Sequence, residues 1–203
     1  MKKIIILNLL VLLVISCNVQ EKQASYNPEA IELNNQATEL IQQSKNDSAL
    51  MLLDKAIAMD ETYYLPHINK LKIYLERNDV DKALLECEKS LDKKPDYVEG
   101  WTTAAMLYDL QGKETKALEY YKKGIDLYDK KISESDQKDD IKANRLRRAF
   151  VLVLSGQEKE GKEEMNKLQS EFPDLTMIDE FLKLNKKDLM DQLTHNLQVT
   201  RPE

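Results

Sequence analysis

His67 and His195 are the two histidines of the chain and Cys17 and Cys87 its two cysteines, so a zinc-type metal centre, a thiol redox pair or a His-assisted nucleophile would have to draw on these four residues. A tetrahedral metal site takes such side chains in closely spaced pairs, and neither histidine has a second His or Cys nearby in sequence. No metal site is expected. GxSxG, HExxH and a glycine-rich phosphate loop are all missing from the sequence, which removes the local signatures of hydrolase, zinc protease and nucleotide chemistry. Asp and Glu total 36, but carboxylates on solvated helices crowd one another without the burial that would raise a pKa for acid–base work. No catalytic residue and no cofactor is therefore predicted. Cys87 reads as a small buried hydrophobe, because a reactive thiol needs a neighbouring base or second thiol. The one basic cluster is Arg145, Arg147 and Arg148. Pairing with Asp126, Asp129 or Glu134 explains it most simply, and capture of an anion, with Arg147 as contact, is the alternative.

The elements that would position these residues are helices. Of 203 residues 42% are hydrophobic and 33% charged, and with only five Gly and five Pro the composition is that of an all-α protein. The formal charge of -6 leaves no basic face for phosphate backbones, so nucleic acid is not an expected partner.

Residues 1–18, MKKIIILNLLVLLVISCN, place two lysines before an apolar run from Ile4 to Ile15, then Ser16 and Cys17. This is the layout of a secretory signal. At about 1.5 Å per residue the run reaches ~20 Å, short of the ~30 Å hydrocarbon core, which disfavours a permanent transmembrane helix. Val14-Ile15-Ser16-Cys17 resembles the bacterial lipobox, which implies a signal peptide over 1–16, cleavage before Cys17 and acylation of that cysteine. Acyl chains at about 0.8 kcal/mol per buried methylene would hold the protein on a membrane surface. Without Lys2 and Lys3 the chain has 28 basic and 36 acidic residues, a charge of -8, so lipid rather than protein surface would provide attachment. Asn18 is unlike the Asp that retains some lipoproteins at the inner membrane, which favours the outer membrane of a bacterial envelope. Residues 17–28 read as the lipidated cysteine and a flexible tether ending at Asn27-Pro28, reaching about 20 Å.

Beyond the tether the sequence repeats every 34 residues. Ala49, Ala83 and Ala117 recur at that spacing; Ala37, Leu71 and Ala105 precede them by twelve, Leu40, Tyr74 and Tyr108 by nine, and Ala56, Ser90 and Gly124 follow by seven. Ser44, Asn78 and Gly112 mark the turn of each unit. The pattern resembles the tetratricopeptide repeat (TPR) family, with Trp101, Ala105, Tyr108, Gly112, Ala117, Tyr121 and Gly124 as its best-matched unit and Ala149, Leu152, Gly156, Gly161, Met165 and Pro173 in a fourth. Leu33, His67 and Arg145 stand where that family favours Trp. His67 is read there as a packing residue. The resemblance implies a right-handed superhelix of about four helix-turn-helix units over 29–174: 30–63, 64–97, 98–131 and 142–174. An elbow insertion fills 132–141, with a loop expected over 133–140 and the next helix starting near Asp139. Small residues at the contact positions let paired helices approach to about 8–10 Å. Residues 175–196 should form capping helices, with Thr176–Asp179 and Asn185–Asp188 as capping patterns, and 197–203 a frayed tail.

The resemblance also implies a partner-binding groove on the concave face made by the first helices of the units. Residue by residue it comprises Asn34, Thr38, Ile41, Ile68, Lys72, Leu75, Thr102, Met106, Leu110, Leu146, Phe150 and Val153. Its later part is apolar, the sign of an interaction surface, suited to a helix or extended peptide with spaced hydrophobic anchors. The competing reading is that the closing helices of the same chain, with Phe181, Leu182, Leu189, Met190 and Leu193, fill it. The charges of the family's carboxylate clamp are missing, whether matched at Asn34, Thr38, Asn69, Glu99 and Thr103 or at Ile68, Lys72, Thr103, Ala143 and Arg147. The expectation is a non-catalytic scaffold holding another envelope protein or peptide. A small-ligand or glycan-binding lipoprotein using Trp101, Tyr108, Tyr120 and Tyr121 is the first alternative. A homo-oligomer formed through the groove is the second.

Overall fold

The computed structural model describes residues 26–197 and the side chains of 26–192. The expected signal peptide 1–16, Cys17, most of the expected tether and, apart from Leu197, the expected tail 197–203 lie outside the described residues, as do the side chains of Leu193 and His195. The described residues form ten α-helices and no strand: α1 Pro28–Gln42, α2 Asn46–Met59, α3 Leu65–Glu76, α4 Val80–Lys93, α5 Val98–Leu110, α6 Glu114–Glu134, α7 Lys138–Leu154, α8 Glu158–Glu171, the single turn α9 Ile178–Phe181, and α10 Lys186–Leu197. They fall into two compact bodies, one running to Gly100 and the other from Trp101.

One backbone device recurs in both. Ser44 and Asn78 take positive φ, 58° and 56°, as do Gly112 and Gly156 at 71° and 90°. In each case the residue in the left-handed region donates its N–H three residues back, and the next donates five back: Ser44 to Ile41 and Lys45 to Leu40, Asn78 to Leu75 and Asp79 to Tyr74. Gly112 to Asp109 with Lys113 to Tyr108, and Gly156 to Val153 with Gln157 to Leu152, repeat the pair. This Schellman closure satisfies the last carbonyls of the first helix and reverses the chain within about three residues. Asn and Gly tolerate that conformation best; Ser44 occupies it at some cost.

In the first body α1 packs on α2, α3 on α4, and α3 also on both α2 and α1. Ala37 and Ala49 are fully buried where α1 meets α2, with Leu53 and Ile73 beside them. Ala30, Ala56 and Tyr63 form a second cluster, capped by Tyr26, whose ring lies 4.7 Å from that of Tyr63. Asn27 accepts a bond from the Glu29 N–H and its own N–H donates to Asp60, which ties the start of α1 to the end of α2. Cys87 is fully buried and its Sγ donates to the Gly100 carbonyl, as its assignment to packing requires.

In the second body α5 packs on α6 through Tyr121, whose hydroxyl donates to Asp109 at 3.0 Å, and through Gly124, where an added Cβ would lie 2.7 Å from Thr102. α6 is 21 residues long and α7 is 17. The stretch outside them is 135–137, shorter than the loop expected over 133–140. α7 begins at Lys138, one residue before the start expected near Asp139, and Asp139 and Asp140 stand in its first turn, where carboxylates favour the positive end of the helix dipole. Asn185 and Asp188 exchange side-chain to backbone bonds of 3.0 and 2.9 Å and form a capping box for α10. Thr176 forms no such box: α9 begins with Met177 as its cap, and Asp179 accepts from Gln169 instead.

Gly161 on α8 stands hard against α7. A Cβ there would stand 2.6 Å from the Ala149 carbonyl oxygen and 2.8 Å from Val153 Cγ2. The backbone of α7 cannot yield without losing its own hydrogen bonds. Gly161→Ala should therefore destabilise the protein by about 1–3 kcal/mol, despite the ~1 kcal/mol that Ala gains in helix propensity. Thermal unfolding followed by circular dichroism should show Tm several degrees lower.

Candidate functional site

The first-body part of the expected groove is polar at its base. Asn69 Nδ2 donates to Asn34 Oδ1 at 2.8 Å and to Thr38 Oγ1 at 3.3 Å, and Lys72 Nζ donates to Asn69 Oδ1 at 3.4 Å. Asn34 and Asn69 are buried, and Asn34 also bonds Tyr63, whose hydroxyl is pushed up to about 12 chiefly by burial, with Tyr26 adding to it. A buried asparagine pair of this kind fixes the register of α1 against α3, since each lost partner would leave a desolvated amide. Thr38, Ile41, Lys72 and Leu75 are half-buried and stay within reach of a partner, whereas Ile68 is buried. Asn69, absent from the predicted groove, is its central polar residue.

In the second body the face is occupied. Thr102, Met106, Leu110, Phe150 and Val153 are buried, and only Leu146 is half-buried. Phe181 at the end of α9 meets Phe150 edge-on, ring centroids 4.2 Å apart. α10 then packs on α7, with Leu189 and Met190 buried. Its first residue, Lys186, reaches α5, where Nζ lies 2.9 and 3.2 Å from the two carboxylate oxygens of Asp109 and over the Tyr121 ring. The closing helices cover Phe150 and reach Asp109, as the competing reading has it for the fourth unit. Apolar residues that look available on the sequence cannot meet a partner here unless the segment moves.

The basic cluster resolves into ion pairs. Arg148 Nε lies 2.6 Å from Asp129 and its Nη2 3.2 Å from Glu160. Arg145 pairs with Glu164 and, through both terminal nitrogens, with Glu171, so its partners are on α8 rather than on α6 as expected. Asp126 and Glu134 pair with Lys122 and Lys130 of their own helix. Arg147 is half-buried on α7. The aromatic set is split: half-buried Tyr120 packs at about 5 Å against half-buried Trp101 and buried Tyr108, while Tyr121 is fully buried.

His67 packs inside its helix pair, with a polar partner that the sequence did not reveal. Its Nδ1 lies 2.6 Å from Glu86 Oε2, and Glu86 Oε1 receives Lys89 at 3.1 Å and Lys70 at 3.3 Å. Lys70 also reaches Asp54 on α2, joining three helices. Burial alone would raise the Glu86 pKa, but the hydrogen bonds from His67 and Lys89 and the charge of Lys70 outweigh it and hold the carboxyl at about 2. The group is saturated by its neighbours, which is the condition of a structural ion cluster. Among the described residues no three His, Cys, Asp or Glu side chains are grouped to hold a metal ion.

Four left-handed turns joining antiparallel helix pairs, with small residues at each contact, decide the fold. It is the tetratricopeptide-repeat fold. A tetratricopeptide repeat protein from Parabacteroides merdae superposes with a TM-score of 0.56 over 85% of this chain and 63% of its own, at 22% identity. The Sgt2 TPR domain from Aspergillus fumigatus does so at 0.50, over 69% of this chain and 85% of its own, at 16% identity. In sequence, 125 residues are 23% identical to the small glutamine-rich tetratricopeptide repeat-containing protein 2 of Saccharomyces cerevisiae, and the match spans 62% of this chain and 36% of that protein. No family model matches the chain. The tetratricopeptide units here keep the contact residues and turns of the repeat while their first-helix faces differ, one partly open and polar, the other filled.

Glu86 gives the pH dependence a sign. Its folded pKa lies below the ordinary 4.5, so its contribution is complete above that value and is lost as pH falls toward about 2. Glu86→Gln leaves His67 and Lys70 facing an uncharged amide and should cost about 3–5 kcal/mol at neutral pH. Urea unfolding across pH 2–7 should show the variant losing less stability on acidification than the parent.

Proposed function

We propose that this protein is a non-catalytic interaction scaffold that holds a peptide or helix of a partner protein on the first-helix faces of its repeats. The observation that carries this is the filled face of the second body: the surface made by α5 and α7 accepts a helical segment by one aromatic contact and one lysine–carboxylate pair. A face that recognises a segment of its own chain has the chemistry to recognise one from another. Catalysis is disfavoured because the buried carboxylate Glu86 is saturated by its contacts with His67, Lys70 and Lys89.

The reading extends to the membrane through sequence alone. The Ile4 to Ile15 run, ending in Val14-Ile15-Ser16-Cys17, supports acylation of Cys17 and a place in the bacterial envelope, with the outer membrane favoured. No helix among the described residues is long and apolar enough to cross a membrane. A short tether would keep partners within a few tens of ångströms of the bilayer, where a scaffold can help assemble a membrane complex.

Photo-crosslinking in cells tests both parts. A crosslinker placed singly at Ile41, Leu75 or Leu146, half-buried on first helices, should yield a shared adduct. The same group at Met51, Leu85 or Leu118, exposed on second helices, should not. Cys17→Ser should abolish palmitate labelling and the adduct together. Adducts only from the second-helix positions would move the binding surface to the other face, and unchanged palmitate labelling of Cys17→Ser would remove the anchor.

A further inference from the structure

The segment from Thr176 to the end of α10 is placed as a ligand would be. Among the described residues the single turn α9 neighbours α8, while α10 packs on α7 and reaches α5, the first helix of the preceding repeat, through Lys186. Its two specific anchors, Phe181 and Lys186, are five residues apart and meet Phe150 and Asp109, on the first helices of two successive repeats. Lys186 is also in an unfavourable place for its own helix. With Lys187 it opens α10, where the dipole disfavours cations, and the carboxylate of Asp109 on another element compensates. Asp109 is in turn oriented by the Tyr121 hydroxyl at 3.0 Å, a preformed acceptor for an ammonium group. Lys186 is 34% exposed and the preceding α9 is only four residues long, while Ile178, Phe181, Leu189 and Met190 are buried. A terminal segment held by four apolar side chains and one ion pair opens below the global unfolding free energy.

We propose that residues 176–197 are an exchangeable intramolecular ligand of the second body, and that the partner displacing them is a helical peptide bringing an aromatic side chain to Phe150 and a lysine to Asp109. This rests on the scaffold reading and adds the chemistry of the partner. The cis segment acts as a competitor, lowering apparent affinity by the fraction of time it is bound.

The test uses full-length protein and a fluorescent synthetic peptide of residues 176–197. Phe181→Ala with Lys186→Glu in the protein should release the cis segment, and the opened variant should bind the peptide at least tenfold more tightly than the parent. Peptides carrying Phe181→Ala or Lys186→Glu should lose most of that binding, and Asp109→Asn in the opened protein should weaken it at least fivefold with helicity unchanged. Hydrogen exchange on the parent covers the case of a variant that does not fold: amides of 186–190 should exchange at least tenfold faster than those of 149–154. Equal protection of the two stretches, or a folded opened variant that binds no better than the parent, overturns the proposal. Crosslinks from first-helix positions in cells alongside either of those results would leave the scaffold standing and remove only the exchangeable ligand.

Discussion

Everything in this molecule depends on how closely two antiparallel helices can approach at one point in each repeat. At that point stand Ala37 against Ala49, Ala105 with Ala117, and Ala149 against Gly161, all fully buried or without a side chain. Small residues remove the bulk that would hold the helices apart, and large ones on either side, such as Leu53, Tyr121 and Met165, interlock around the contact. The left-handed turn makes that approach obligatory. With Ser44, Asn78, Gly112 and Gly156 closing the first helix and reversing the chain at once, the second helix has no slack with which to find another register. Turn and contact thus specify the same geometry, and consistency between the two levels is what makes a short repeat fold to one structure.

The contact positions leave little room for polar groups, and where they occur they are closed into networks. Leu71 keeps the second unit's contact apolar, but His67 brings an imidazole into a helix pair, and Glu86 with Lys70 and Lys89 answers it. Asn34 and Asn69 do the same between α1 and α3. Such networks add little net stability compared with an apolar core of equal volume, yet each is costly to break by halves. Their effect is to fix which helix face meets which, and so to fix the line of first-helix side chains from which a binding surface is made.

That surface is a balance between two demands. Apolar residues on it favour a partner, and the same residues exposed in its absence would favour aggregation. In the first body the demand is met by polarity, with an amide pair and Lys72 at the base and only Ile41 and Leu75 partly exposed. In the second it is met by cover, the chain laying Phe181, Leu189 and Met190 over its own groove. Cover of this kind solves solubility without giving up the recognition chemistry beneath it.

The repeat is legible in the residues themselves. Ala49, Ala83 and Ala117 at one spacing, with Ser44, Asn78 and Gly112 in the turns, are local signals: a missing side chain or a tolerance for positive φ is a property of one residue and can be read one residue at a time. The Asn185–Asp188 capping box was legible for the same reason. What only the tertiary structure decided are the pairings between residues distant in sequence. Which acid answers His67, whether Arg145 turns to α6 or α8, and where Lys186 finds its carboxylate depend on helix faces that many exposed Lys, Arg, Asp and Glu could serve equally well. Occupancy of the groove was undecidable for a related reason. Phe150 and Met106 have the pattern of an open interaction surface, and the pattern is the same whether the segment that buries them comes from another protein or from 77 residues beyond Asp109 in the same chain.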